Sequence, residues 1–182
     1  MKKLLLKMCG VIIFMGLFYF VGLLCLGFFA PPYLRKNLIF PIGGYGHLNS
    51  RMQDVKNVNN VDILFLGSSH AYREFDTRIF KAQGYKSFNL GSSGQTPLQT
   101  VVLLKRYLHS LHPKLVVYEV YPATFTFDGV EAAIDLIAND RVGWDTYKMA
   151  FSLNDILTYN TLLYASLCQL LEYTRILRKL KM

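Results

Sequence analysis

The chain has 182 residues, 52% of them apolar and only 18% charged, with a formal net charge of +8. Such a composition excludes a disordered linker and favours membrane association. The charge lies at the two ends: Lys2, Lys3 and Lys7 supply +3, and Arg175, Arg178, Lys179 and Lys181 supply +4. Between Met8 and Thr174 there are 13 basic and 12 acidic residues, so the clustered charge of a nucleic-acid groove is missing.

From Met8 to Ala30 the chain runs 23 residues without a charge. At about 1.5 Å per residue this predicts a helix of roughly 34 Å, enough to cross a hydrocarbon core. The run is longer than the apolar part of a signal peptide, and it ends in Gly27-Phe28-Phe29-Ala30 before Pro31-Pro32, a poor cleavage site. Leu24 adjoining Cys25 argues against lipoprotein processing. The expectation is an uncleaved anchor over residues 1–30. Three lysines before the span against Arg35 and Lys36 after it predict a cytoplasmic N-terminus and an extracytoplasmic remainder. Cys9, Cys25 and Cys168 have no metal or redox spacing and read as small buried apolar side chains.

Residues 31–60 are of mixed polarity and read as a juxtamembrane connector with one short element; His47 within it reads as a surface or packing histidine. The pattern then becomes regular over 61–182. Val61–Leu66 is a continuous apolar run stopping at Gly67, the mark of a strand buried on both faces. Thr77–Gln83 is a short amphipathic helix closed by Gly84. Ser87–Leu90 is a second strand, Pro97–Leu111 a helix with Pro97 in its first turn, and Lys114–Tyr121 a third strand. Strand, helix, strand, helix, strand predicts a parallel sheet of βαβ units, an α/β fold. Beyond Pro122 the pattern is helical, over Val130–Ala138, Trp144–Phe151 and Ser152–Lys181, the last with Asn154 or Ser152 as its cap. Asn160, Thr161 and Gln169 interrupt Leu157–Leu171, so a second span is not expected. Leu170, Leu171, Ile176, Leu177 and Leu180 interleave with the terminal basic residues, as in a core-facing helix with a solvated edge or an interfacial helix on anionic lipid.

Ligands of a parallel α/β sheet bind at the carboxyl ends of its strands. Three polar turns fall there: Gly67-Ser68-Ser69-His70, Gly91-Ser92-Ser93-Gly94-Gln95-Thr96, and Tyr121-Pro122. A serine on a strand-to-helix turn holds its hydroxyl in the crevice, and nearby backbone N–H groups point at developing negative charge. The glycine at 94 lets another N–H approach closely. Gly91-x-x-Gly94-x-Thr96 also admits a phosphate cradle, although the lysine of a nucleotide loop is missing.

Gly67-Ser68-Ser69 after an apolar strand resembles the first block of the SGNH (GDSL-type) hydrolases, and Asn89-Leu90-Gly91-Ser92-Ser93-Gly94-Gln95-Thr96 resembles the second. The Gly-Ser-Ser form after an anchor is similar to the membrane-tethered acyltransferases that esterify cell-envelope polysaccharides or teichoic acids. The resemblance covers residues 61–122. It implies a flavodoxin-like three-layer αβα fold and a serine esterase or acyltransferase acting on an envelope acyl group. In that scheme Ser69 is the nucleophile and an oxyanion donor, and Gly94 is a second donor. No cofactor or metal is implied.

The chain departs from the family in two places. Where the third block has an asparagine, Glu119-Val120-Tyr121-Pro122 stands, so that Tyr121 takes the donor's place and an ionised Glu119 opposes an oxyanion unless turned aside. The fourth block, Asp-x-x-His, is absent, and no histidine follows His112. Without a base a serine hydroxyl is a poor nucleophile. His70 is a candidate base or crevice-lining residue, while His109 and His112 belong to the opposite edge of the sheet. Arg73 and Asp76 would orient a substrate, form an ion pair, or cap the Thr77 helix. Two readings follow: an SGNH-like enzyme, or a non-catalytic membrane-tethered module or truncated form of the same fold.

Overall fold

The computed structural model describes residues 1–180, with side chains to residue 174. It divides into two units, Met1–Ile39 and Phe40–Met182. The first is helix α1, Lys2–Phe29, whose most apolar window has a mean hydropathy of 2.5 and which is long and apolar enough to cross a membrane. The prolines end it as expected: a 3-10 turn, Pro32–Leu34, follows directly. Arg35 Nη1 then donates to the Gly27 carbonyl at 3.0 Å, a cation satisfying a C-terminal orphan acceptor. Cys9 and Cys25 lie exposed along α1, not buried as expected, because the helix keeps an apolar surface all round; Cys168 is half-buried.

The second unit is a mixed α/β body around a three-stranded parallel sheet. Its strands are β1 (Ile63–Leu66), β2 (Ser87–Asn89) and β3 (Leu115–Tyr118), in spatial order β2-β1-β3. The apolar run of β1 is buried on both faces, as its composition required. Leu64 and Leu66 join the main core, while Phe65 faces the other way, stacked on Phe75 at 4.7 Å and against the tilted ring of Phe80 at 4.9 Å. Among the described residues β3 has no second neighbour, and Leu115 and Val116 on that edge remain 54% and 40% exposed.

Helix α2 (Leu48–Asp54) lies in the stretch expected to be a connector. Leu48, Met52 and Val55 on and after it are buried in the core, so the compact body starts at residue 40 and not at 61. Two helices separate β1 from β2: α3 (Ser69–Glu74), which the sequence pattern did not announce, and α4 (Thr77–Ala82). The sequence of α3, Ser69-His70-Ala71-Tyr72-Arg73-Glu74, continues the polar turn without an apolar face, unlike that of α4. Helix α5 (Pro97–Leu111) starts at a capping box of Thr96 and Gln99 with Pro97 at its first position.

The helical remainder comprises α6 (Val130–Asn139), α7 (Trp144–Leu153) and α8 (Ile156–Leu180). Asn154 does not cap α8: it ends α7 in the left-handed region, at φ +49°. The cap of α8 is Asp155, whose Oδ1 accepts from the Thr158 N–H at 2.8 Å. The backbone of α8 runs through the basic stretch, but the side chains of Arg175, Ile176, Leu177, Arg178, Lys179, Leu180 and Lys181 lie outside the described residues.

One core carboxyl has a measurable signature. Asp135 on α6 is fully buried; its Oδ1 accepts from Asn139 at 2.8 Å, and its Oδ2 has no partner. Burial, helped by Glu131 and opposed by the Asn139 bond, pushes this carboxyl up to about 7. A carboxyl raised in the folded state supports folding below its unfolded value of about 4 and loses that contribution as pH rises through about 7. Asp135→Asn removes this loss. Thermal unfolding across that range is expected to give a flatter pH profile than wild type, with the variant the more stable at about pH 8.

Candidate functional site

The three strand ends meet. The Ser92 N–H donates to the Gly67 carbonyl at 3.1 Å, joining the turn after β2 to the turn after β1. The Glu119 carboxylate, just past β3, accepts from both the N–H and the hydroxyl of Ser68, at 2.8 and 2.7 Å. Gly67 makes this approach possible: at φ +136°, a Cβ on it would lie 2.7 Å from both Cβ and Oε2 of Glu119. Asn89 secures the second turn, donating to the Ala71 and Phe75 carbonyls at 2.8 and 3.2 Å while its Oδ1 accepts from the Gly91 N–H at 2.9 Å.

Within the first turn the two serines differ. Ser68 is buried and caps α3, its Oγ accepting from the His70 N–H at 3.3 Å and lying 3.1 Å from His70 Nδ1. Ser69 is the first residue of α3, half-buried, and neither its hydroxyl nor its N–H has a partner among the described residues. The His70 ring rests against the Tyr121 ring, centroids 4.5 Å apart. His70 is therefore engaged with Ser68 and Tyr121, not with Ser69. Tyr121 is 43% exposed.

The second turn is a buried polar lattice. Ser92 Oγ donates to Gln95, Gln95 donates to Thr100 at 2.8 Å, and Thr96 Oγ donates to Gln99 Oε1 at 2.6 Å. With Thr96 spent on capping α5, the phosphate-cradle reading loses its hydroxyl. Gly94 sits at φ +58°, and a Cβ on it would meet nothing within 4 Å, so its role in the fold is the left-handed turn and not a close approach. Its N–H is also without a partner among the described residues. Beside it is a cavity of about 540 Å³ bordered by Asp128 and Glu131.

The other expected residues divide. Asp76 caps α4 and pairs with Arg78 at 2.6 Å, so its partner is not Arg73. The Arg78 hydrogen bonds hold the Asp76 carboxyl down at about 2. Arg73 is exposed and lies over the Tyr72 ring at 5.7 Å. His109 and His112 are exposed at the far end of α5, with rings 4.9 Å apart, as their place in the sequence required. His47 lies against Tyr72 at 6.2 Å, a packing role.

Sequence reasoning missed Arg51. Its Nη1 donates to the Gly91 carbonyl at 2.6 Å, and its guanidinium lies 4.9 Å from the Tyr72 centroid. Nothing local in the stretch Asn49–Gln53 signals a contact 40 residues away. No group of three or more His, Cys, Asp or Glu suited to a metal occurs among the described residues. A larger cavity, about 930 Å³, is lined from α5, α6 and α8 and shares no residue with the three turns. No family model, curated protein or solved structure matches the chain.

Proposed function

We propose that the α/β unit is an SGNH-like serine esterase or acyltransferase scaffold, tethered by α1, with Ser69 as the acyl-accepting residue. The observation that carries this reading is the contrast between the two serines: Ser68 is buried and bonded to Glu119 and His70, whereas Ser69 keeps its hydroxyl and N–H unengaged at the C-terminal end of β1. Glu119, whose charge would repel an oxyanion, is drawn onto Ser68. The N–H groups of Ser69 and Gly94, without partners among the described residues, support the reading of these two residues as oxyanion donors, and the β2-β1-β3 order supports a flavodoxin-like sheet. Lys2, Lys3 and Lys7 favour a cytoplasmic N-terminus, and with it an acylated component of the cell envelope as substrate.

A second reading, a non-catalytic tethered module, is favoured by one observation: among the described residues no base engages Ser69. His70 is held on Ser68, and no histidine follows His112. A fluorophosphonate probe separates the two. The enzyme reading expects covalent labelling of the full chain that Ser69→Ala abolishes and that Ser68→Ala, which removes a cap worth about 1 kcal/mol, leaves detectable. Absence of labelling overturns it in favour of the module, and labelling that persists in Ser69→Ala overturns the assignment of Ser69.

A further inference from the structure

Buried or half-buried cations ordinarily face a carboxylate. Arg51 breaks this pattern. It is half-buried on α2, its only polar partner is the neutral Gly91 carbonyl, and no ion pair forms on it among the described residues. Burial pushes its guanidinium below the usual arginine value, with only the Tyr72 interaction opposing. Arg73, the residue after Tyr72 on α3, lies over the same ring, also without an ion pair among the described residues.

These two arginines border a cavity of about 350 Å³ at the β2 side of the sheet. Ser87 lines it too, and Ser87 Oγ is a buried hydroxyl without a hydrogen-bond partner. The remaining charges around it are Asp54, Asp76 and Arg78, of which Asp76 and Arg78 neutralise each other. Three arginines face two aspartates, a surplus of one positive charge in a partly desolvated recess.

We propose that this recess binds an oxyanion, a phosphate or carboxylate group, between the guanidinium groups of Arg51 and Arg73 with the Ser87 hydroxyl as a third donor. The chemistry follows from the parts. One edge of the Arg51 fork is spent on Gly91, which fixes its plane, and the remaining N–H groups are free for paired bonds to a carboxylate or phosphate. Tyr72 holds both cations in place through its ring face. An anion there offsets the charge surplus and satisfies the orphaned hydroxyl. Because Arg51 also holds the carbonyl of Gly91, occupancy of the recess bears on the turn that carries Gly94. The site does not depend on any reaction at Ser69.

Thermal unfolding of the full chain in phosphatidylcholine nanodiscs tests this with inorganic phosphate as the probe, sodium chloride keeping ionic strength constant. The expected result is a saturable rise in Tm. Arg73→Gln, an exposed change that spares the fold, is expected to raise the half-saturating phosphate concentration about tenfold or more. Arg51→Gln is expected to do the same, and Arg141→Gln, outside the recess, to leave it unchanged. A parallel arm without phosphate, with phosphatidylglycerol replacing part of the lipid, reads whether a headgroup delivers the same anion; a Tm rise there that Arg73→Gln abolishes also supports the site. If Arg51→Gln fails to fold, Arg73→Gln decides alone. No saturable rise in either arm, or the same rise in Arg73→Gln as in wild type, overturns the proposal.

Discussion

Replacing Arg106 by methionine is expected to cost about 3–5 kcal/mol of folding stability. Arg106 lies on α5 with its side chain 2% exposed, and it ties three helices together. Its Nη1 donates to Asp140 Oδ2 at 2.6 Å, its Nε to Asp145 Oδ2 at 2.6 Å, and its Nη2 to Thr146 Oγ1. Tyr107, the next residue, donates to the other Asp140 oxygen at 2.6 Å. Methionine fills similar space but leaves the Asp140 carboxylate, itself 2% exposed, without its cation. In a chain of this size such a loss lowers Tm by about 10 °C or more, which chemical and thermal unfolding would both register. Removing both charges at once, as in Arg106→Met with Asp140→Leu, is expected to recover at least half of the loss, because the penalty belongs to the stranded charge. Burial opposes the charge of Asp145, yet the Arg106 hydrogen bond holds its carboxyl below the usual range. Its contribution is thus present above about pH 4 and fades as pH falls through the depressed value, a fading that Arg106→Met abolishes.

Gly67→Ala is expected to destabilise the α/β unit by about 2–5 kcal/mol, through backbone strain and overpacking together. The backbone at φ +136° is one that L-residues rarely adopt, and the new methyl would meet Glu119 Cβ and Oε2 at 2.7 Å and Ala71 Cβ at 3.1 Å. Neither neighbour can yield cheaply, since moving Glu119 breaks both of its bonds to Ser68. Gly94→Ala provides the contrast. Its backbone is also left-handed, at φ +58°, but a methyl there meets nothing within 4 Å, so only about 1–2 kcal/mol of conformational cost is expected. Denaturant midpoints of the two variants should differ in that order. Equal losses would show that the packing of Gly67 against Glu119 contributes little.

Much of the fold was legible along the chain. The apolar run before Gly67, the short alternating stretch Ser87–Leu90 before Gly91 and the apolar stretch after Pro113 became three parallel strands in the expected order of appearance. Pro97 after Thr96 marked the start of α5, because a proline lacks the N–H that the first turn leaves unbonded. The short elements were less legible. Helix α3, whose six residues follow the Ser/Gly turn directly, was not read as a helix. The one short element expected in residues 31–60 proved to be α2, whose Leu48 and Met52, with Val55 after it, reach the core because the chain folds α2 back onto it. Asn154 was misread for a related reason: a left-handed residue that ends one helix and an aspartate that starts the next stand side by side, and asparagine suits either place.

The site follows the same division. Sequence alone determined that Ser/Gly turns follow each of the first two strands, that α1 is long and apolar enough to cross a membrane, and that no histidine lies beyond His112. These are properties of composition and order, which local periodicity and chain counting reach directly. Only the tertiary structure decided which serine is engaged and which is free, that Glu119 turns onto Ser68 across 51 residues, and that Arg51 reaches Gly91 across 40. Hydrogen bonds act within about 3 Å, and which polar groups come that close is set by how strands and helices pack. No spacing along the chain encodes it.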